Sequence, residues 1–217
     1  MEVTEKDIKS HIFYRIARSV VRPIIYVFYG VRYTGREKVP KEGKIIIASN
    51  HISLLDPVAV GAGLGREVHF MGKAELFKNP VFGRLIKHLG CFPVHRGAGD
   101  GEAVNLASTV LEKGFALGIF PEGTRSKDHG KPAQRPKSGV AMLAQKEKCD
   151  VLPVAVYCKD GKPKLFRKYI VRVGDVIPYE DMGFTEEANR SEIKNASGVI
   201  WGKITALWEE SNANQNC

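Results

Sequence analysis

Long apolar runs are missing from this chain of 217 residues. The uninterrupted stretch over residues 24–29 falls far short of the roughly 20 apolar residues that a membrane-spanning helix needs, and Arg15, Arg18 and Arg22 interrupt the region before it. A transmembrane helix is therefore not expected. Cysteine is sparse: Cys91, Cys149, Cys158 and Cys217 lie far apart, with no C-x-x-C pair and no Cys/His cluster. That spacing argues against a metal site and offers no recognisable nucleophile setting, so reduced thiols in a cytosolic environment are expected. The chain opens polar, without an apolar core and a small-residue cleavage site, so no secretory leader is expected. A G-x-S-x-G elbow is absent, which weakens any covalent hydrolase reading. Neither an RNP-like block nor zinc spacing is present, which argues against nucleic-acid binding.

Positive charge is what the chain has in excess, with a formal net charge of +9. Such an excess favours an anionic partner: a membrane surface, nucleic acid or a phosphorylated ligand. Cations dominate the N-terminal segment and the stretch from Lys131 to Arg172, whereas Glu180, Asp181, Glu186, Glu187, Glu192, Glu209 and Glu210 gather late. A localised positive field suits docking on a surface. The 43% hydrophobic content allows a proper core in one domain, or two small ones.

Residues 8–28 have helical periodicity, with Ile12, Ile16, Val20 and Ile24 at four-residue spacing and Arg15, Arg18 and Arg22 on another face. An apolar stripe beside a basic face suits a lipid interface; a helix packed on the domain with exposed arginines is the other reading. Pro23 predicts a kink or a split into two short helices. Strand and helix signals then alternate. Strands are expected over residues 44–49, 68–71, 91–94, 117–120, 151–158 and 169–173, and helices over 57–64, 81–89, 102–113, 137–148 and 185–210. This pattern predicts an α/β fold: a mostly parallel sheet flanked by helices, behind an N-terminal amphipathic helical motif. The expected division is residues 1–30 for that motif, 31–210 for the α/β domain, and 211–217 for a disordered tail.

The chemistry collects at strand ends. Asn50-His51-Ile52-Ser53-Leu54-Leu55-Asp56 follows the strand over 44–49, at the sheet edge where ligand sites of α/β proteins lie. His51 and Asp56 supply a base and an orienting acid, provided the chain turns between them, because five residues are not a whole number of helical turns. Asp56 before Pro57 is equally the pattern of an ordinary helix N-cap, and His51 alone reads as a structural histidine. Phe120-Pro121-Glu122-Gly123-Thr124-Arg125-Ser126 also follows a strand; its Pro and Gly mark a fixed turn. Glu122 and Arg125 in isolation read as well as a surface ion pair.

Taken together these two segments resemble the first and third blocks of the glycerophospholipid acyltransferase family. Gly90-Cys91-Phe92-Pro93-Val94-His95-Arg96-Gly97 resembles the second block, departing from its usual pattern at Pro93 and His95, and Val151-Leu152-Pro153-Val154-Ala155-Val156 resembles the fourth. The likeness covers roughly residues 30–180. It implies catalysis by His51 and Asp56, and binding of the acceptor's phosphate and glycerol by Arg96, Glu122, Gly123 and Arg125. Asn50, Lys73, Thr124 and Lys137 would support them. The implied reaction moves an acyl group from an acyl-coenzyme A or acyl-carrier-protein thioester to lysophosphatidic acid, giving phosphatidic acid, with neither metal nor cofactor. Other acceptors, such as glycerol 3-phosphate, a lysophospholipid or an amino-acid lipid, are alternatives, and a thioester hydrolase is a remote one. The implied place is peripheral, on the cytoplasmic face of the cell membrane, against an anionic lipid surface and without nucleic acid.

Overall fold

The computed structural model of the protein describes residues 12–94, 101–126, 128, 130–132 and 135–213. The elements run α1 (Ile12–Phe28), β1 (Val31–Thr34), β2 (Ile45–Ser49), α2 (Asp56–Gly63), β3 (Val68–Lys73), α3 (Pro80–His88), β4 (Cys91–Val94), α4 (Gly101–Glu112), β5 (Ala116–Ile119), α5 (Gly139–Glu147), β6 (Val151–Cys158), β7 (Tyr169–Val173) and α6 (Arg190–Ala213). The strands form one seven-stranded sheet in the order β1-β7-β6-β2-β5-β3-β4. Only the β6–β7 pair is antiparallel among the described ladders. The mostly parallel α/β architecture expected from the sequence is the one observed.

The pleat of β2 explains the layers. Successive side chains point to opposite faces, so Ile45 and Ile47 pack with Ile25 of α1 and Ala59 and Val60 of α2. Ile46 and Ala48 pack on the other side with Ala107 and Leu111 of α4, Val140 and Ala144 of α5, and Ile200 and Ile204 of α6. A strand covered on both faces reads as a continuous apolar run, and β2 is buried at every position. Because β2 to β6 run parallel, their carboxyl ends share one edge. His51, Lys73 and the segment from Phe120 onward all leave the sheet there.

Four local expectations are corrected. Pro23 lies inside a single helix α1, not at a split; buried Tyr14 on one side of it and buried Ile25 on the other pin both halves to the domain, which offsets the one backbone bond a proline forfeits. Residues 8–11 lie outside the described residues. β1 was not foreseen, since it is four residues long and carries an arginine; its partner β7 is remote in sequence. α6 starts at Arg190 instead of 185 because the Asn189 side chain caps it, accepting from the Ser191 and Glu192 N–H groups at 2.8 and 3.1 Å. At the other end the helix continues through residues 211–213, where a disordered tail was expected. Ser211 is buried and accepts from Arg172 Nε at 2.9 Å, and Asn212 accepts from the Tyr157 hydroxyl at 2.9 Å. Residues 214–217 lie outside the described residues.

One packing detail reaches the site. A Cβ added to Gly118 in β5 would sit 2.2 Å from Phe70 Cε1, and the Phe70 ring stacks on Phe120 with centroids 5.8 Å apart. Gly118→Ala must push Phe70 outward, at a cost of about 1–3 kcal/mol for overpacking. Thermal melts should show that loss, and because Phe120 in turn contacts His51, turnover should fall as well.

Candidate active site

The site is built where β2 stops. Asn50 is completely buried, and its side-chain amide imitates a strand: Nδ2 donates to Val156 O at 2.9 Å and Oδ1 accepts from Val156 N at 2.8 Å. The sheet's hydrogen bonding with β6 thus continues for one more rung after the backbone has turned away. That turn brings His51 toward Phe120, whose ring stacks on the imidazole at 4.1 Å and 17°.

Asp56 then closes the loop. Its carboxylate is fully buried. Oδ2 accepts from His51 Nδ1 at 2.6 Å, from Ile52 N at 2.6 Å and from Ser53 N at 2.9 Å. Oδ1 accepts from the Tyr169 hydroxyl at 2.6 Å. The N-cap reading of Asp56 is therefore corrected. It is the first residue of α2, and its side chain folds back onto the preceding loop instead of capping the helix. The turn that the His–Asp pairing requires is made by these backbone bonds. With Nδ1–H committed to Asp56, Nε2 is left as the ring's basic nitrogen.

The segment after β5 grips His51 from the other side. Glu122 is buried, and its Oε2 accepts from the His51 N–H at 2.7 Å. Ser126 N donates to His51 O at 2.7 Å. Gly123 turns the chain with φ +68°, and its N–H donates to Phe120 O at 2.9 Å. An added Cβ there would meet Lys137 Nζ at 3.0 Å, so the Lys137 stem lies along the glycine, while its N–H donates to Pro121 O at 2.8 Å. Thr124 and Arg125 are exposed beyond this turn. No Glu122–Arg125 ion pair forms among the described residues: Glu122 faces inward to His51 and Arg125 faces solvent.

Of the residues predicted from sequence, His51, Asp56, Asn50, Glu122, Gly123 and Lys137 come together in this way, with Thr124 and Arg125 on the same turn. Lys73 ends β3 on the same edge, two strands from β2, exposed and 3.0 Å from Glu75. Arg96 lies outside the described residues, two positions past the last residue of β4. Burial pushes the thiols of Cys91, Cys149 and Cys158 up to about 12, so none offers a thiolate nucleophile at neutral pH. Among the described residues no cluster of His, Cys, Asp and Glu could hold a metal ion.

Sequence reasoning missed Tyr169, which stands 113 positions from Asp56. Nothing local marks it; only the β6–β7 hairpin brings it there. Burial first, and then the adjacent Asp56 carboxylate, raise its hydroxyl well above the ordinary tyrosine range. It therefore keeps its proton and serves as a donor. Tyr169→Phe should lower kcat about ten-fold, the equivalent of one charge-assisted hydrogen bond of about 1.4 kcal/mol, with little change in either KM. An unchanged kcat in the folded variant would make Tyr169 a packing residue only.

The chain is similar to known proteins in sequence and in fold. The acyltransferase family pattern matches residues 30–157. The 1-acyl-sn-glycerol-3-phosphate acyltransferase of Bacillus subtilis (strain 168) is 30% identical over 156 residues, covering 71% of this chain and 76% of that protein. The protein of the same description from Streptococcus pneumoniae is 30% identical over 149 residues, and the match covers 67% of this chain but only 54% of that one. A crystal structure of the 1-acyl-sn-glycerophosphate (LPA) acyltransferase PlsC from Thermotoga maritima superposes with a TM-score of 0.73 at 25% identity, covering 92% of this chain and 80% of that one.

Proposed function

The chain belongs to the acyltransferase family, and from that premise we propose that it acylates the 2-hydroxyl of lysophosphatidic acid to form phosphatidic acid. The observation that carries this reading is the His51–Asp56 pair at 2.6 Å, clamped by a segment that carries the exposed Arg125. A base and a cation on one rigid frame match an acceptor with a hydroxyl and a phosphate. The relatives described as 1-acyl-sn-glycerol-3-phosphate acyltransferases support the choice of acceptor.

In this mechanism the acceptor hydroxyl approaches His51 Nε2 and attacks the carbonyl carbon of the acyl thioester. Nε2 takes the hydroxyl proton as the new C–O bond forms. Asp56 holds the ring's tautomer and orientation and stabilises the imidazolium. The tetrahedral intermediate collapses with cleavage of the C–S bond, and the leaving thiolate takes the proton from Nε2. No covalent acyl-enzyme forms, because the nucleophile belongs to the acceptor. Arg125, with Arg96, grips the phosphate, where a planar guanidinium offers bidentate geometry. Glu122 acts first on the enzyme, by fixing the His51 backbone. Coenzyme A or an acyl-carrier protein supplies the thioester.

The acceptor carries an acyl chain, and α1 carries a surface that suits it. The helix has three faces. Tyr14 and Ile25 are buried against the domain, and the Tyr14 hydroxyl donates to Gly61 O at 3.0 Å. Ile12, Ile16, Val20 and Ile24, the stripe read from the sequence, face outward at 76%, 60%, 55% and 47% exposure. Arg15 and Arg22 occupy the third side. The packed face is the one expected of a helix docked on the domain, and the exposed stripe supports the lipid-interface reading. No helix among the described residues is long and apolar enough to cross a membrane. The outward stripe supports a peripheral position, with α1 lying in the interface of an anionic membrane on its cytoplasmic side.

The test is thiol release from one acyl thioester against an acceptor panel, with product masses. Release should require lysophosphatidic acid, and His51→Ala should slow it roughly 10²–10⁴-fold, the usual range for a general base. Acceptor-independent release would make the protein a hydrolase and overturn the proposal. Separately, Arg125→Ala should raise the acceptor's KM far more than the donor's, and Arg125→Lys should rescue only in part. A selective rise in the donor's KM would move Arg125 to the donor side.

A further inference from the structure

A groove of about 640 Å³ opens between α1 and β1, lined chiefly by Ser19, Arg22, Tyr26, Arg32, Tyr33 and Arg36. It uses none of the residues of the His51 site, and in the sheet β1 is separated from β2 by β7 and β6. Three guanidiniums meet here, and none of them is in an ion pair among the described residues. Aromatic faces hold two of them instead. Arg32 Cζ lies 4.4 Å from the centre of the Tyr26 ring, and Arg36 Cζ lies 5.5 Å from that of Tyr33. Arg36 Nε is buried with no hydrogen-bond partner among the described residues.

The floor of the groove is fixed. The Tyr33 hydroxyl donates to Ala59 O at 3.0 Å, and its ring fills space that any side chain at Gly63 would occupy, an added Cβ lying 1.9 Å from Cε1. Burial, with Arg22 and then Arg18 nearby, holds Arg36 below the ordinary guanidinium value. Clustered cations repel, and partial burial strengthens that repulsion. An anion seated among them turns repulsion into attraction and supplies acceptors for the guanidinium N–H groups.

We infer that this groove binds the phosphate of an anionic phospholipid headgroup. The choice of a lipid over free phosphate rests on what borders the groove. Its α1 wall, formed by Ser19, Arg22, Pro23 and Tyr26, runs alongside the exposed stripe of Ile16, Val20, Ile24 and Val27. A phosphate in the groove leaves its acyl chains next to that stripe. The inference therefore rests on the interfacial position of α1 proposed above. It adds a specific headgroup site to a surface otherwise read only as basic and apolar.

The full-length protein is sedimented with phosphatidylcholine vesicles, with or without phosphatidic acid. Losing two cations from a diffuse field near an anionic bilayer costs about 25-fold in partitioning, about five-fold each, so Arg32→Gln/Arg36→Gln, which also removes the site, should weaken binding to the mixed vesicles by well over that factor. Binding to phosphatidylcholine alone should stay as in the wild type. Arg22→Gln should show the same pattern to a smaller degree. Arg15→Gln/Arg84→Gln removes equal charge outside the groove; if it matches the groove variant, a diffuse field is at work and the site is overturned. Unchanged binding of the groove variant overturns it too. A second readout is independent of α1 insertion: the fluorescence of a Tyr26→Trp variant titrated with soluble dihexanoyl phosphatidic acid or inorganic phosphate. A saturable change with the lipid, much weaker with inorganic phosphate, supports the site even if wild-type protein ignores neutral vesicles, an outcome that would sink only the interfacial reading of α1. Equal responses to the two ligands overturn the lipid assignment.

Discussion

The buried carboxylate of Asp56 is the constraint on which the site depends. An ionised group out of water is costly unless donors surround it, and Asp56 collects four: the His51 imidazole, two loop N–H groups and the Tyr169 hydroxyl. These donors come from the loop after β2 and from the start of β7, while Asp56 itself opens α2. One side chain thus ties three elements at the carboxyl edge. Removing it would leave its donors unpaired in a dry place, so its role in stability cannot be separated from its role in orienting the imidazole. The two backbone bonds are also what curl the chain between residues 51 and 56, and a straight helix would send the two side chains apart.

His51 is held with equal care from outside its own loop. Asn50 replaces a rung of the β2–β6 ladder with its side chain, so the backbone leaves the sheet without orphaning Val156, as buried peptide groups require. Glu122 and Ser126 then take the N–H and C=O of the very next residue. The histidine's backbone is fixed on both sides by a segment from β5, and its ring is fixed by Asp56 and Phe120. Such over-determination suits the base role proposed for His51, because preorganisation is what positions a proton acceptor within reach of a hydroxyl without reordering at the moment of reaction.

Much of this was legible because it is local. The apolar runs of β2 and β6, the Asn79-Pro80 start of α3 and the Pro/Gly turn after Phe120 all carry their own signals, and the order of strands and helices fixed the layer architecture in advance. The paired positions of His51 and Asp56 were visible as a pattern. What stayed hidden has partners that are distant in sequence. Tyr169 reads as one more strand residue until the hairpin returns it to Asp56. Glu122 reads as a surface carboxylate near Arg125, yet it turns inward because a backbone N–H waits there. Asp56 reads as a helix cap because its neighbours are those of a cap, and only the competing N–H groups of its own loop decide otherwise. β1 escaped notice because a four-residue edge strand draws its stability from a pairing that no window of neighbours contains.

α1 shows how one short helix presents three different faces. Periodicity alone reveals an apolar stripe, but not which of two apolar faces the domain takes. The structure gives the domain Tyr14 and Ile25, and leaves the better stripe outside. A soluble helix gains nothing from that choice, since exposed Ile and Val side chains forgo the hydrophobic stabilisation that burial would bring. The arrangement makes physical sense if the missing burial is supplied by acyl chains. The same argument applies to the guanidiniums of Arg22, Arg32 and Arg36, which are in no ion pair among the described residues; their clustered charge is a cost to the free protein and an attraction at an anionic surface. Exposed apolar groups and unpaired cations side by side are each unfavourable in water, and a bilayer of anionic lipid relieves both at once.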